Sequence, residues 1–138
     1  MAGRLVMVCA AVLALAVSAG AEPQMTASGA WVAEPSPGAS STTAYAVIEN
    51  PSMYEVYVVS VTTEAAGSAD IADGPAEAAK AVRELSVPAY GRTELEPGGV
   101  HIRLKDLKGP LQAGDSVTMI LTLDSGATIT VTAPVKKG

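Results

Sequence analysis

The chain has one histidine, and the residues around it set what that imidazole could do. His101 follows Pro97-Gly98-Gly99, a turn signal because proline presets one backbone dihedral and glycine admits positive φ. Apolar Val100, Ile102 and Leu104 then alternate with polar His101, Arg103 and Lys105, the period of a strand with one buried face. The imidazole is therefore expected on a polar face, with two cations further along the same row. That setting repels a metal ion. A lone histidine of this kind is ordinarily a solvated surface residue, because a site needs several donors in fixed geometry.

Few other groups compete for chemistry. Met25, in a leader, and Met53, in a loop, could supply thioethers, which are soft donors suited to Cu(I). Packing against a neighbouring strand is the plainer role for Met53, and Met119 lies on the apolar side of an alternating run, a core position. Asp70 and Asp73, close to Gly74-Pro75, read as acids of a solvated turn. Serines are plentiful, yet no Gly-x-Ser-x-Gly elbow is present and no third group is identifiable, so the chain is expected not to be an enzyme.

The elements that must position these groups are strands. Trp31-Val32 opens the first, and Glu34-Pro35-Ser36-Pro37-Gly38 breaks it. Further candidates are Thr43 to Glu49, Tyr54 to Thr63, Ser68 to Ala72, Leu85 to Pro88, Arg92 to Leu95, the histidine strand, Ser116 to Leu123 and Ala127 to Val135. Residues 75–83 carry helix formers after a proline but are short for a helix, so helix and strand both stay open there. About eight short strands separated by Pro and Gly turns, without a convincing helix, point to an antiparallel sandwich or small barrel.

Arg4, the apolar run Leu5 to Ala16 and the small residues Ala19-Gly20-Ala21 predict a cleavable signal peptide over 1–21, a flexible leader over 22–28 and one domain over 29–135. Cys9, the only cysteine, leaves with the signal peptide, so no disulfide or thiolate site is expected afterwards. Cleavage also removes Arg4 and makes the −5 net charge of the chain more negative still. Such a balance argues against nucleic acid or an anionic membrane as partner, and no membrane insertion is expected after cleavage. With no Phe, one Trp and four Tyr, the core must be built from aliphatic side chains.

Landmarks then follow in order: Ala30-Trp31-Val32, the Pro-Gly loop, Tyr45-Ala46-Val47-Ile48-Glu49-Asn50, Ala65-Ala66-Gly67, Val87-Pro88-Ala89, Glu94 through His101, Leu107 through Leu111, and Gly114-Asp115. Together they resemble the PCu(A)C family of periplasmic copper chaperones, over roughly residues 29 to 134. The resemblance implies a cupredoxin-like Greek-key β-sandwich in the periplasm that binds copper and passes it toward cytochrome oxidase. It also implies a cytochrome oxidase assembly protein or another copper chaperone as partner. The family site uses two histidines and two methionines, one pair arranged as His-x-Met. His101 matches that histidine, whereas Arg103 stands at the methionine. Ala72, flanked by Asp70 and Asp73, lies near the place of the other histidine, and Ala79, Lys80 and Ala81 occupy the region of the other methionine. The expectation is a degenerate copper site with His101 as its one matched metal ligand. The alternative is an exported β-sandwich that holds no metal and acts through a protein partner.

Overall fold

Valine, isoleucine and threonine alternate between short turn signals along most of the chain, and β-branched residues of this kind suit a pleated, half-buried surface. In the computed structural model, which describes residues 24–75 and 78–137, they form ten strands. These are β1 (Thr26–Ala33), β2 (Ser41–Glu49), β3 (Val56–Thr63), β4 (Ala66–Asp73), β5 (Lys80–Val82), β6 (Leu85–Val87), β7 (Arg92–Glu94), β8 (Val100–Leu107), β9 (Ser116–Leu123) and β10 (Thr128–Lys136). No α-helix occurs among the described residues. The signal peptide expected at 1–21 lies outside them.

One layer runs β5-β4-β8-β2-β1, with β7 also beside β2, and the other runs β10-β9-β3-β6. Every pairing is antiparallel except β1 with β10, where Val32 meets Val135 and Ala33 meets Lys136. That seam joins the layers into one path and brings the sandwich close to a barrel. Between the layers, Val32, Ile48, Ile71, Ile102 and Leu104 meet Val58, Val87, Val117, Met119, Leu121 and Val135. Each such aliphatic side chain contributes about 1.5–3 kcal/mol on burial. Met119 is fully buried, as its alternation requires.

Three local expectations change. β1 starts at Thr26 rather than Trp31 and takes in the last three residues of the stretch read as a leader, pairing Thr26, Ala27 and Ser28 with Glu49, Ile48 and Val47. The register slips between Ser28 and Trp31, where Gly29 has φ 60°, and this break hides the strand's period. Within 75–83, Lys80–Val82 is strand β5, paired with Ile71–Asp73, while residues 76 and 77 lie outside the described ones. So short a run of helix formers gains more from a sheet edge than from an isolated turn. β4 starts at Ala66 rather than Ser68 and runs to Asp73, which leaves Glu64-Ala65 as the turn after β3.

Candidate functional site

β8 lies between β4 and β2, and register decides what surrounds His101. Ala72 is directly opposite His101, Asp70 directly opposite Arg103, and Thr43 meets Arg103 from the other side. The pairing of Ala44 with Ile102 carries Tyr45 alongside His101, with ring centroids 6.4 Å apart, and Trp31 follows at 4.7 Å from Tyr45. Trp31, Tyr45, His101 and Ala72 thus form one row across the sheet, on the face opposite Ile102 and Ile71.

This row corrects the expectation of a solvated histidine: His101 is only 2 % exposed. It is on the predicted face, but its flanking strands present a ring and a methyl group and bury it. Its Nδ1 lies 2.9 Å from the Gly99 carbonyl oxygen. A carbonyl can only accept, so Nδ1 carries a proton, and in the neutral ring the lone pair lies on Nε2. Nε2 is itself buried and has no hydrogen-bond partner. The Gly99 carbonyl also accepts the Gly74 N–H at 3.2 Å, which ties the turn before β8 to the end of β4.

The cations beside His101 are likewise not free. Arg103 grips Asp70 with Nε at 3.0 Å from Oδ1 and Nη2 at 2.6 Å from Oδ2, and Lys105 Nζ lies 3.7 Å from the same Oδ2. Hydrogen bonding to Arg103, reinforced by the charges of Arg103 and Lys105, holds the Asp70 carboxyl below its ordinary pKa despite partial burial. The same bond raises that of Arg103. Asp70 is therefore a strand residue in an ion pair, not an acid of a solvated turn, and only Asp73 ends its strand exposed. The pair could not be read in advance, since its members are 33 residues apart and meet only through the β4/β8 register.

A cleft of about 450 Å³ adjoins this face, with Glu34, Pro35 and Ser36 on one wall and Thr43, His101 and Arg103 on the other. Among the described residues, no three His, Cys, Asp or Glu groups gather as a metal site. The thioethers do not replace them. Thr26 pairs with Glu49, so Met25 enters beside Asn50, and Met53 follows in the next loop. At about 3.3 Å per residue, the stretch from Tyr45 to Glu49 places that end roughly 13 Å from the histidine row. The donor set present does not fit a resident copper ion.

Residues 25–135 match the LpqE-like family, described as "Putative lipoprotein LpqE-like". A relative from Leifsonia xyli subsp. xyli, "Putative lipoprotein Lxx21020", is 33 % identical over 114 residues, covering 79 % of this chain and 68 % of that protein. Among solved structures, the CuI form of DR1885 from Deinococcus radiodurans has TM-score 0.71 and 33 % identity, covering 87 % of this chain and 84 % of that one. The copper-bound PCuAC domain from PmoF2 has TM-score 0.73 over 86 % of this chain and 97 % of that one, and at 19 % identity it speaks to fold alone. The apo PCuAC domain from PmoF1 does the same at TM-score 0.72 and 24 % identity, covering 84 % of this chain and 96 % of that one. With its order of landmarks, its all-β sandwich and these matches, the chain belongs to the LpqE-like family and is a PCuAC-type domain of cupredoxin-like fold.

Proposed function

We propose that this protein is an exported, periplasmic copper-handling domain whose own copper site is degenerate, with His101 as its remaining metal ligand. The observation that carries the reading is the row across β4 and β8. Ala72 faces His101, and the Asp70–Arg103 pair occupies the next position, so no second or third donor stands beside the imidazole. One imidazole holds copper weakly, and the remaining donors must come from a partner. A cytochrome oxidase assembly protein or another copper chaperone fits that role, with delivery toward cytochrome oxidase. The copper-bound forms of the structural neighbours support a place in copper handling, and the lipoprotein names of the family and the relative support export, with residues 1–21 removed as a signal peptide and the domain opening with β1 at Thr26. The action is binding, not catalysis.

A Cu(I) competition titration against a calibrated chelator, run on the protein and on His101→Ala, tests this. The expected result is weak competition that the substitution abolishes. Tight binding that survives it would overturn the reading. A second reading, a metal-free sandwich that acts only through a protein partner, is favoured by the burial of Nε2. Silence from both proteins would leave that one standing.

A further inference from the structure

The Glu49 end of β2, four residues along from Tyr45 in the histidine row, carries exposed side chains outside the core. Met53, Tyr54 and Tyr90 are 61 %, 71 % and 73 % exposed, in a chain with only five aromatic residues and no phenylalanine. They sit on two loops, 50–55 and 88–91, which are fastened to each other. Tyr90 N–H donates to the Ser52 carbonyl at 3.0 Å and Asn50 N–H to that of Gly91 at 2.8 Å. Asn50, 1 % exposed, completes the lock. Its Nδ2 donates to the carbonyls of Tyr54 and Val87, while its Oδ1 accepts the Ser52 N–H and hydroxyl.

Tyr90 has φ 54°, the left-handed region that bulky side chains avoid and glycine enters freely. Asp106 also has positive φ, but short polar side chains tolerate it. The next turn residue, Gly91, is obligatory, since a Cβ there would lie 2.8 Å from Pro88 Cγ. At position 90 a glycine would serve the turn better, and the tyrosine ring is left in solvent. Strain with no gain in burial marks a residue retained for contact.

Charge says what the contact is with. Exposed Glu49 and Glu55 flank the patch, and the Glu55 carboxylate is fixed by the hydroxyls of Ser86 and Tyr57. Asp124 stands beside Tyr57, whose N–H reaches its carboxylate at 3.3 Å. The nearby cation, Arg92, is drawn to Glu94 at 3.5 Å. A rigid tyrosine and methionine surface with an acidic rim has the anatomy of a binding hot spot. We propose that Met53, Tyr54 and Tyr90 form a preformed docking surface for a partner protein that presents an apolar segment flanked by lysine or arginine. The surface is separate from the His101 row and does not depend on copper being held there.

The test is an NMR titration of the purified protein with three short peptides: alternating leucine and lysine, leucine and glutamate, and serine and lysine. The leucine–lysine peptide is expected to shift the amides of residues 51–54 and 89–92 saturably, to weaken with added salt, and to lose about tenfold in affinity with Tyr90→Gly. That variant suits the backbone, so a loss in a folded protein reports the ring. Equal binding of the glutamate peptide would overturn the charge argument, and equal binding of the serine peptide the apolar one. Concentration-dependent dimerisation through the same amides would assign the surface to a second copy and overturn the proposal.

Discussion

Across β4 and β8, the guanidinium of Arg103 meets the Asp70 carboxylate through two hydrogen bonds, at 3.0 and 2.6 Å, two residue pairs along from Ala72 and His101 and so next to them on the same face. A neutral ion pair and a methyl group thereby stand where neighbours of an imidazole ligand would be. This row of the sheet is held together by packing and charge pairing.

Asp70→Asn removes the carboxylate and leaves Arg103 and Lys105 facing each other. Because the pair is partly exposed, the loss at neutral pH is expected to be about 1 kcal/mol. The folded-state pKa of Asp70 is depressed, so its contribution is present above the unfolded carboxylate range near ~4 and disappears as pH falls through the folded value. Urea unfolding of both proteins should show a gap at pH 7 that closes in strong acid.

Asn50→Ala should cost more. The side chain is buried and makes four hydrogen bonds, and its loss takes the Nδ2 donor from the buried Val87 carbonyl, while the Tyr54 carbonyl keeps the Ser52 hydroxyl at 3.1 Å. About 2–3 kcal/mol is expected, read as a lower thermal midpoint, together with amide exchange that rises in loops 50–55 and 88–91.

Tyr90→Gly runs the other way. Relief of the left-handed backbone, worth about 1–2 kcal/mol, is offset by the extra freedom of glycine in the unfolded chain, at about 0.5–1 kcal/mol. Chemical denaturation should show stability unchanged or slightly raised. A clear destabilisation would mean that the ring supports the fold after all.

Copper affinity should respond to donors restored in register. Opposite residues of an antiparallel pair have Cβ atoms about 4.5–5.5 Å apart, so Ala72→His with Arg103→Met would set a second imidazole and a thioether beside His101. Chelator competition should report Cu(I) affinity raised by at least about tenfold over the unmodified chain. Ala72 is fully buried, so some overpacking cost, about 1–3 kcal/mol, is expected alongside.

Much of this was legible along the chain. The alternation through Val100 to Leu104 put His101 and Arg103 on the face opposite Ile102, and that assignment holds. The β-sandwich followed from strand period and turn chemistry, both of which are local. β1 was partly hidden because Gly29 breaks its period, and β5 because three residues carry too little pattern.

Burial and pairing are not local, and there the sequence by itself stops. It determined the residue types and faces: one imidazole, no thiol beyond Cys9, and an arginine at the position two after the histidine. Only the tertiary structure decided that Tyr45 and Ala72 close over His101, that Asp70 reaches Arg103, and that Met25 and Met53 lie past the Glu49 end of β2, away from that row. The physical reason is register. Alternation fixes which side of a strand a residue faces, but the residue beside it belongs to a strand dozens of positions away, and one step of slip would replace every neighbour.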